Sequence, residues 1–306
     1  MMSNGNYVAS FIILSYNQKD FIEKAILSAL NQNTFYKFEV IVADDHSVDG
    51  TWDIICKMAS IYNFKYTRTS VNSGVVNNLN NGFRLAQGDF IFLMGGDDIS
   101  HSDRVSIVLE CFNHNVDTFC VYSNTFDMNS EGHVLAKESS GFRYHQRNGE
   151  MTVDSFLRGD LGVLGCSAAY HRRVFDSFGS LYQGLPSEDK VLTLRALMLG
   201  RISYICNELV FYRLGVGLSN NMSMRSKDSY FKLMNGKLKT YNGYLHDGVG
   251  EQLSIRQAIL IRRYIVFYTL VLSLLVKFNF RKAFKLFFCR VSFREKARFL
   301  FYYLMS

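Results

Sequence analysis

Short apolar runs alternate with segments of helical periodicity along the first part of the chain. Runs of this kind predict buried β-strands, and segments with apolar residues three or four positions apart predict helices. Strands separated by helices of about 10–15 residues indicate βαβ units and a mainly parallel sheet. The predicted strands are 8–14, 38–43, 64–69, 90–94 and 118–123, and the predicted helices are 21–31, 51–62, 75–86 and 103–113.

This alternation changes in the second half of the chain. Residues 124–149 are polar and contain glycine, which predicts a loop or hairpin. Residues 163–170 predict another strand, and residues 188–199 a helix. Beyond about residue 219 the strand pattern stops, and helical, aromatic, basic sequence follows. We therefore expect an α/β domain over 1–218 and a helical C-terminal region over 219–306.

Composition excludes general disorder and a disulfide framework. The chain has 306 residues, of which 48% are hydrophobic, enough to bury a sizeable core. Its six cysteines contain no C-x-x-C pair, which favours buried thiols in a reducing compartment. The first six residues contain neither a basic nor an apolar run. We therefore expect no secretory signal and a cytoplasmic location.

Positive charge is concentrated in the C-terminal region. The net charge is +7 overall, yet residues 251–306 contain eleven Lys and Arg against two Glu. The remainder of the chain is close to neutral. The basic character therefore belongs to the C-terminal region.

An acidic turn follows the predicted strand 38–43. A carboxylate of Asp44 or Asp45 at this strand end could accept the N3–H of a uracil ring, and Ser47 or Asp49 could cap the next helix. Ligands of parallel sheets bind beyond the carboxyl ends of the strands, which favours a functional reading. The alternative is a plain capping turn with surface acids.

A second acidic pair, Asp97-Asp98, follows strand 90–94 after Gly95-Gly96. The glycines would let a ligand approach the backbone closely. Paired carboxylates at a strand end could hold Mg²⁺ or Mn²⁺, with waters and phosphate oxygens as further ligands. The alternative is a turn that caps the following helix. Repulsion between two neighbouring acidic pairs favours the cation, which would relieve it.

A third pair, Glu188-Asp189, opens the predicted helix 188–199 just after the only proline, Pro186. Acids at a helix N-terminus are stabilised by the helix dipole without any catalytic role. Taken alone, this pair therefore indicates a helix start and nothing more.

The motifs, taken in order, resemble the family 2 glycosyltransferases of the GT-A fold, which build bacterial O-antigens and capsules. The match extends over roughly 210 residues, and ordered motifs at these spacings are far more specific than any one motif alone. The matching segments are Phe11 to Asn17, Asp44 to Thr51, Asn72-x-Gly74, Asn80, Gly88 to Ile91, Asp97-Asp98, Glu188-Asp189, Leu194-Arg195, Gly200 and Tyr212-Arg213.

The resemblance implies a fold, an activity and a role for each matching residue. It implies a GT-A nucleotide-sugar-binding domain and transfer of a sugar from a nucleotide diphosphate donor, a UDP-sugar, to an acceptor hydroxyl. Asp189 would be the general base, supported by Glu188. Asp98 would bind the metal, and Asp97 the metal or the ribose. The residues implied for the donor are Ser15, Tyr16, Asn17, Asp45, Asn72, Gly74 and Asp97; for Tyr16 and Asn17 a simple turn is the alternative.

Two departures from the family pattern concern the metal. The usual Asp-x-Asp has Gly95 in place of its first acid, and Gly215 stands where a metal-binding histidine often follows the Tyr-Arg pair. We therefore expect a Mn²⁺ or Mg²⁺ cofactor held by few carboxylates, with the diphosphate supplying further ligands. A single base on the face opposite the leaving group implies inversion at the anomeric carbon.

The sequence also argues against other nucleotide-binding functions. No G-x-G-x-x-G follows a strand and no G-x-x-x-x-G-K-[ST] occurs, which argues against NAD- and ATP-binding enzymes. A non-catalytic nucleotide-sugar or membrane binding module with a degenerate transferase fold stays as the alternative. We expect no nucleic-acid partner, because the aromatic residues of the basic region cluster with Leu and Val.

The C-terminal region suits a membrane surface or a homodimer contact. Residues 264–276 are uncharged and mostly apolar, fewer than the ~20 needed to span a bilayer. Phenylalanines then mix with Lys and Arg, as in a helix lying in an anionic interface. We expect peripheral attachment to the inner face of the plasma membrane, near a lipid-linked saccharide acceptor of lipopolysaccharide or O-antigen synthesis. Packing of these helices on the core or in a homodimer is the alternative.

Overall fold

The structure, a computed structural model, describes residues 7–135, 150–159, 162–216, 227–248, 253–277, 279–292, 295–297 and 299. The chain forms two compact units. The first contains Met1–Thr152 and Leu161–Gly217, and the second contains Val153–Asp160 and Leu218–Ser306.

The first unit is built on one eight-stranded sheet. Its strands are β1 Ala9–Ser15, β2 Phe38–Asp44, β3 Lys65–Arg68, β4 Phe90–Gly95, β5 Ile99–Ser100, β6 Thr118–Met128, β7 Ala169–His171 and β8 Arg201–Arg213, in the spatial order β3-β2-β1-β4-β7-β6-β8-β5. β3, β2, β1 and β4 are parallel, as are β6 and β8. β7 is antiparallel to β4 and β6, and β5 to β8. Most strand pairs in the described chain are parallel, which confirms the expected α/β class.

Helices of the first unit cover the sheet with apolar faces. They are α1 Ile22–Leu30, α2 Thr51–Ala59, α3 Val75–Leu85, α4 Arg104–His114, α6 Arg173–Asp176 and α7 Asp189–Leu199. Strand β1 is buried along almost its whole length, as expected for a strand covered on both faces. The ring of Phe11 on β1 stacks on that of Phe92 on β4 at a centroid distance of 5.8 Å. The central strands therefore carry the core, and their carboxyl ends are left for the site.

The strand register brings the sequence motifs to one edge of the sheet. Ser15 at the end of β1 pairs with Asp44 at the end of β2. Leu14 pairs with Gly95 at the end of β4. The segments that follow these three parallel strands therefore start side by side, as expected for a ligand site of a parallel sheet.

Three elements differ from the sequence-based expectation. The predicted loop 124–149 begins inside β6, which continues to Met128; residues 136–149 lie outside the described part. Within the predicted strand 163–170, Gly165–Ser167 forms a 3₁₀ turn and only β7 is a strand. Strand β8 was not predicted, because its polar residues interrupt the apolar pattern; pairing with β6 along its length supports it.

The second unit is helical. It contains α5 Val153–Leu157, α8 Lys227–Asp247, α9 Ile255–Val276 and α10 Phe280–Phe288. Helix α9 begins at a capping box in which Ser254 and Gln257 exchange side-chain and backbone hydrogen bonds. The ring of Tyr241 on α8 stacks on Tyr264 of α9 at 4.7 Å. An aromatic and aliphatic cluster of this kind gives the unit its own core.

Helix α9 corrects the expected length of the apolar segment. It has 22 residues, and by length and composition alone it could cross a membrane. The uncharged stretch 264–276 is only its C-terminal part, since the helix starts earlier and includes Arg256, Arg262 and Arg263. Seven of its residues, among them Phe267 and Val271, are buried in the second unit. A core helix of a soluble protein passes the same test of length and composition.

Candidate active site

The turn after β2 is organised by the buried carboxylate of Asp44. It accepts hydrogen bonds from the backbone N–H of Ser47 at 3.0 Å and from the Ser47 hydroxyl. The guanidinium of Arg68, at the end of β3, lies 3.3 Å from the same carboxylate and also donates to the Ser47 carbonyl. Asp44 therefore shapes the turn, because its oxygens are engaged by protein donors.

Asp45 holds the segment between β3 and α3. Its carboxylate accepts from the Thr69 hydroxyl at 2.9 Å, from the backbone N–H and hydroxyl of Ser73 at 2.9 and 3.1 Å, and from the Gly74 N–H at 2.7 Å. Gly74 has φ +88°, a conformation that favours glycine. Asp45 and Gly74, both predicted donor-site residues, are thus in direct contact. Asn72 lies exposed in the same segment.

The turn after β1 lies against the turn after β2. Asn17, with φ +51°, donates its N–H to the Ser47 hydroxyl at 2.8 Å and accepts the Val48 N–H at 2.9 Å. The Tyr16 side chain is 38% exposed. The buried Ser15 hydroxyl has no hydrogen-bond partner in the described structure. Ser15, Tyr16 and Asn17 therefore lie beside the Asp45 region at one sheet edge.

Asp97 and Asp98 follow β4 in a tight, buried turn. A Cβ on Gly95 would lie 2.6 Å from Asp97 Oδ1, and one on Gly96 would lie 2.5 Å from Gln18 Oε1. The space beside the two glycines is therefore taken by the protein's own side chains. The structure therefore contradicts the expectation that these two glycines leave room for a ligand.

Arg213, at the end of β8, fastens the Asp97-Asp98 turn. Its backbone N–H donates to Asp98 Oδ1 at 3.0 Å, and its Nε donates to the Asp97 carbonyl at 2.8 Å. Its Nη1 donates to the carbonyls of Asn129 and Ser130. One buried arginine thus joins the acidic turn to β8 and to the turn after β6.

Burial makes the charged forms of both acids costly. It raises the pKa of Asp97, although the Asp97 backbone, Arg213 and Gln18 act in the opposite direction. It holds the pKa of Asp98 well above the usual range, and the neighbouring charge of Asp97 adds to the effect. A bound cation would relieve both causes, so the donor chemistry of this pair fits a hard divalent ion.

The protein supplies few ligands for such an ion. No group of three or more His, Cys, Asp or Glu able to hold a metal occurs among the residues that the structure describes. Asp97 and Asp98 would thus supply two carboxylate ligands. Water and phosphate oxygens would complete the coordination sphere, as is common for Mg²⁺.

Glu188 and Asp189 start α7 and face the 3₁₀ turn Gly165–Ser167. A Cβ on Gly165 would lie 3.0 Å from Glu188 Oε1 and 3.4 Å from the Asp189 Cβ. Asp189 Oδ1 accepts from the Ser187 hydroxyl at 2.6 Å and from the Lys190 N–H at 2.8 Å. Burial, followed by the charge of Asp189, raises the pKa of Glu188 to about 7. A carboxyl of this kind can exchange a proton near neutral pH.

Cys166 links the second and third acidic pairs. It belongs to the turn Gly165–Ser167 that faces Glu188 and Asp189, and burial, followed by the charge of Asp98, holds the pKa of its thiol well above the usual range. The two pairs are therefore separated by one turn of backbone at the same end of the sheet. The sequence alone does not reveal this place of Cys166, because nothing in its local pattern distinguishes it from a buried thiol.

Gln18 also belongs to the site and was missed. It is 8% exposed, its Oε1 occupies the space beside Gly96, and its amide acts to lower the pKa of Asp97. A glutamine in a turn has no motif that marks this role; only the fold, which brings the β1 and β4 ends together, reveals it.

The curled α/β sheet with its helical C-terminal region is a GT-A fold. The sequence pattern described as glycosyl transferase family 2 matches residues 10–179, more than half of the chain. The chain therefore belongs to the family 2 glycosyltransferases.

Curated relatives match parts of the chain. An abequosyltransferase of Salmonella typhimurium is 36% identical over 102 residues, 32% of this chain and 31% of the relative. A UDP-glucose:GlcNAc-diphosphoundecaprenol β-1,3-glucosyltransferase of Escherichia coli is 32% identical over 119 residues, 39% of this chain and 46% of the relative. The matched regions span about a third or less of the first curated relatives.

Solved structures match over nearly the whole chain. TarS of S. aureus, in complex with UDP-GlcNAc, aligns with a TM-score of 0.61 and 17% identity, covering 96% of this chain and 79% of that one. A mannosyltransferase of Pyrobaculum calidifontis, in complex with GDP-Man and Mn²⁺, aligns with a TM-score of 0.55 and 14% identity, covering 92% and 79%. At these identities the likeness concerns the fold.

Proposed function

We propose that this enzyme transfers a sugar, with inversion, from a nucleotide diphosphate donor to an acceptor hydroxyl. The observation that carries the proposal is the placement of Asp97-Asp98 and Glu188-Asp189 on either side of the turn Gly165–Ser167. One pair suits a leaving diphosphate with its cation, and the other suits proton removal from an acceptor.

The donor nucleotide would lie along the ends of β1 and β2. Tyr16 and Asn17 on one turn, and Asn72 and Gly74 on another, are exposed there. The Asp45 carboxylate accepts hydrogen bonds from Thr69, Ser73 and Gly74. Its contribution to binding of the nucleobase would therefore include shaping this second turn. UDP-GlcNAc in the similar TarS structure supports a UDP-sugar as the donor.

Asp97 and Asp98 would hold Mg²⁺ or Mn²⁺ together with the donor diphosphate. When bound, the cation would stabilise the negative charge that develops on the leaving group. Arg213 holds this turn in place, because its backbone N–H binds the Asp98 carboxylate and its guanidinium binds the Asp97 backbone carbonyl. The Mn²⁺ of the similar mannosyltransferase supports this assignment.

Asp189 would remove the proton from the acceptor hydroxyl. The acceptor oxygen then forms a bond to the anomeric carbon while the bond from that carbon to the phosphate oxygen breaks. The nucleoside diphosphate leaves on the opposite face, so a single displacement inverts the anomeric configuration. General base catalysis of this kind contributes about 10²–10⁴-fold. Glu188 would support Asp189 and, because its pKa is about 7, is the next candidate for the base.

A lipid-linked saccharide is the proposed acceptor, in surface polysaccharide synthesis such as that of O-antigen. The support is the Escherichia coli relative, whose name gives a diphosphoundecaprenol-linked acceptor. Such an acceptor would require the protein at the inner membrane face. On α10, Phe284 and Phe288 are 67% and 68% exposed, next to the basic Arg281, Lys282 and Lys285. A homodimer through the C-terminal helices is the competing use of this surface.

A thermal-shift screen of nucleotide sugars, with and without Mn²⁺, tests the donor assignment. We expect a UDP-sugar to raise the Tm, and more so with Mn²⁺, because a ligand that binds only the folded state stabilises it. The selected donor is then incubated with candidate acceptors, and the anomeric configuration of the product is read by NMR. A product that retains the donor configuration would contradict inversion.

A further inference from the structure

His46 lies between the two turns at which the donor nucleotide is proposed to bind. It belongs to the turn after β2, and its side chain is half-buried. The residue before it, Asp45, accepts the Gly74 N–H at 2.7 Å. The residue after it, Ser47, accepts the Asn17 N–H at 2.8 Å. The histidine is therefore flanked on each side by a residue that is fastened to one of the two turns.

The backbone of His46 has a left-handed conformation, with φ +62°. This region is uncommon for residues other than glycine, although asparagine, aspartate and histidine enter it more readily than most. A glycine would adopt it without cost but would bring no side chain. A strained backbone in a ligand-facing turn is a reason to ask what the side chain does there.

The imidazole of His46 is held in one tautomer by the segment that follows β3. Its Nδ1 lies 3.2 Å from the backbone carbonyl oxygen of Thr69. A carbonyl oxygen only accepts hydrogen bonds, so Nδ1 carries the hydrogen and donates it. In a neutral imidazole the other nitrogen, Nε2, is then an acceptor. Nε2 has no hydrogen-bond partner in the part of the chain that the structure describes.

The carboxylate beside His46 is largely occupied by the protein itself. Asp45 Oδ1 accepts from the Thr69 hydroxyl and from both the N–H and the hydroxyl of Ser73. Its Oδ2 accepts from the Gly74 N–H. Asp45 was expected to accept the N3–H of a uracil ring, yet one of its two oxygens is saturated by protein donors. The neighbouring Nε2 of His46 is an acceptor that the protein leaves available.

We propose that His46 is a specificity-determining residue for the nucleobase of the donor, and that its Nε2 accepts the ring N–H of the base. The inference rests on the proposed donor site. It selects nucleoside diphosphates whose base has a ring N–H beside a carbonyl, which are those of uracil, thymine and guanine. Cytosine has no hydrogen on N3, so two acceptor nitrogens would face each other. A buried acceptor left unpaired in this way weakens binding.

Two substitutions separate recognition of the base from support of the turn. His46→Asn places an NH₂ group where Nδ1 was, so it keeps a donor for the Thr69 carbonyl, and asparagine tolerates a positive φ. It loses the outer acceptor. His46→Gln reaches as far as Nε2 and can present its Oε1 there, but it tolerates the backbone conformation less well.

The measurement is binding of UDP, CDP, GDP and dTDP by calorimetry, with Mn²⁺ and at about pH 8, where imidazole is neutral. We expect the wild-type protein to bind UDP more tightly than CDP. In His46→Asn we expect UDP binding to weaken about 10-fold, the upper range for one neutral hydrogen bond, and CDP binding to change less than about 3-fold. We expect His46→Gln to bind UDP more tightly than His46→Asn does, although its Tm is lower.

His114→Asn is the matched control. His114 is the last residue of α4 and is exposed, and the same chemical change there leaves both nucleotide turns untouched. We expect its affinities for all four nucleotides to stay within about 2-fold of wild type.

The outcomes distinguish the inference from the function on which it rests. The role of His46 alone is overturned by a wild-type preference for CDP, by UDP binding in His46→Asn equal to wild type, or by equal losses of UDP and CDP in that variant. It is also overturned if His46→Gln binds UDP no better than His46→Asn. A wild-type protein that binds none of the four nucleotides overturns the proposed donor site, and the inference with it.

Discussion

The backbone N–H of Arg213 donates to Asp98 Oδ1 at 3.0 Å, although 115 positions separate the two residues in the chain. The contact joins the end of β8 to the acidic turn after β4. It explains why a Tyr-Arg pair far along the chain belongs with the acidic motif: the arginine holds the turn that carries both acids.

Removal of divalent cations is the first prediction. Asp97 and Asp98 are two buried carboxylates with raised pKa values and no third acid beside them in the described chain. We therefore expect EDTA to abolish transfer and added Mn²⁺ or Mg²⁺ to restore it. The assay is product formation at matched ionic strength, with EDTA already saturated with Mn²⁺ as the control for chelator effects. Full activity in excess EDTA would contradict the metal assignment.

Asp45→Asn is expected to destabilise the fold as well as weaken donor binding. The Asp45 carboxylate accepts the backbone N–H groups of Ser73 and Gly74 on different oxygens. Asparagine replaces one of these oxygens by an NH₂ group, which cannot accept the hydrogen bond made there. We expect a loss of about 1–3 kcal/mol in the free energy of unfolding, measured with urea.

Asp49→Asn is the comparison for Asp45, because Asp49 is only partly buried and its carboxylate accepts from Thr51 and from the exposed Lys19 N–H. We expect a smaller loss than at Asp45. Equal losses would mean that the burial of Asp45 adds nothing to the strength of its hydrogen bonds.

Parts of this site follow from sequence and parts do not. The strands β1, β2 and β4 are continuous apolar runs, which makes them predictable from the sequence. The acids at their ends are then expected at a ligand site, because ligands of parallel sheets bind beyond the carboxyl ends of the strands. Strand β8 has polar residues in its middle and depends on pairing with β6, a non-local cause that periodicity does not reveal. The approach of Gln18 to Gly96, and of Glu188 to Gly165, likewise exists only after distant strands have met.

Glu188 gives a prediction about pH and stability. Its pKa is about 7 in the folded protein against 4.5 for the ordinary residue. Between these values the folded protein binds a proton that the unfolded chain has released, so this group costs stability as pH rises from about 4.5 to 7. Glu188→Gln removes the cost. We expect the Tm of the variant, relative to wild type, to increase from pH 5 to pH 8. A difference that does not vary with pH would contradict the raised pKa.

The C-terminal helices predict attachment to anionic vesicles. Phe284 and Phe288 on α10 are exposed beside basic residues, as in a helix at a membrane interface. We expect the full chain to float with anionic liposomes and the double variant Phe284→Ser/Phe288→Ser to remain largely in the dense fraction. Phe35→Ser is the control, since Phe35 is 83% exposed in the first unit. Equal recovery of all three proteins would favour packing or dimerisation.

The central claim is that Asp189 removes the acceptor proton while Asp97 and Asp98 hold the donor. The test is transfer rate and donor affinity in Asp189→Asn and Glu188→Gln, with folding checked by thermal melting. Asparagine keeps the shape of Asp189 and removes its basicity, so we expect kcat to fall by about 10²-fold or more, donor affinity to stay near wild type, and Glu188→Gln to lose less. A folded Asp189→Asn enzyme that turns over at a near wild-type rate would contradict the account and leave Glu188 as the base.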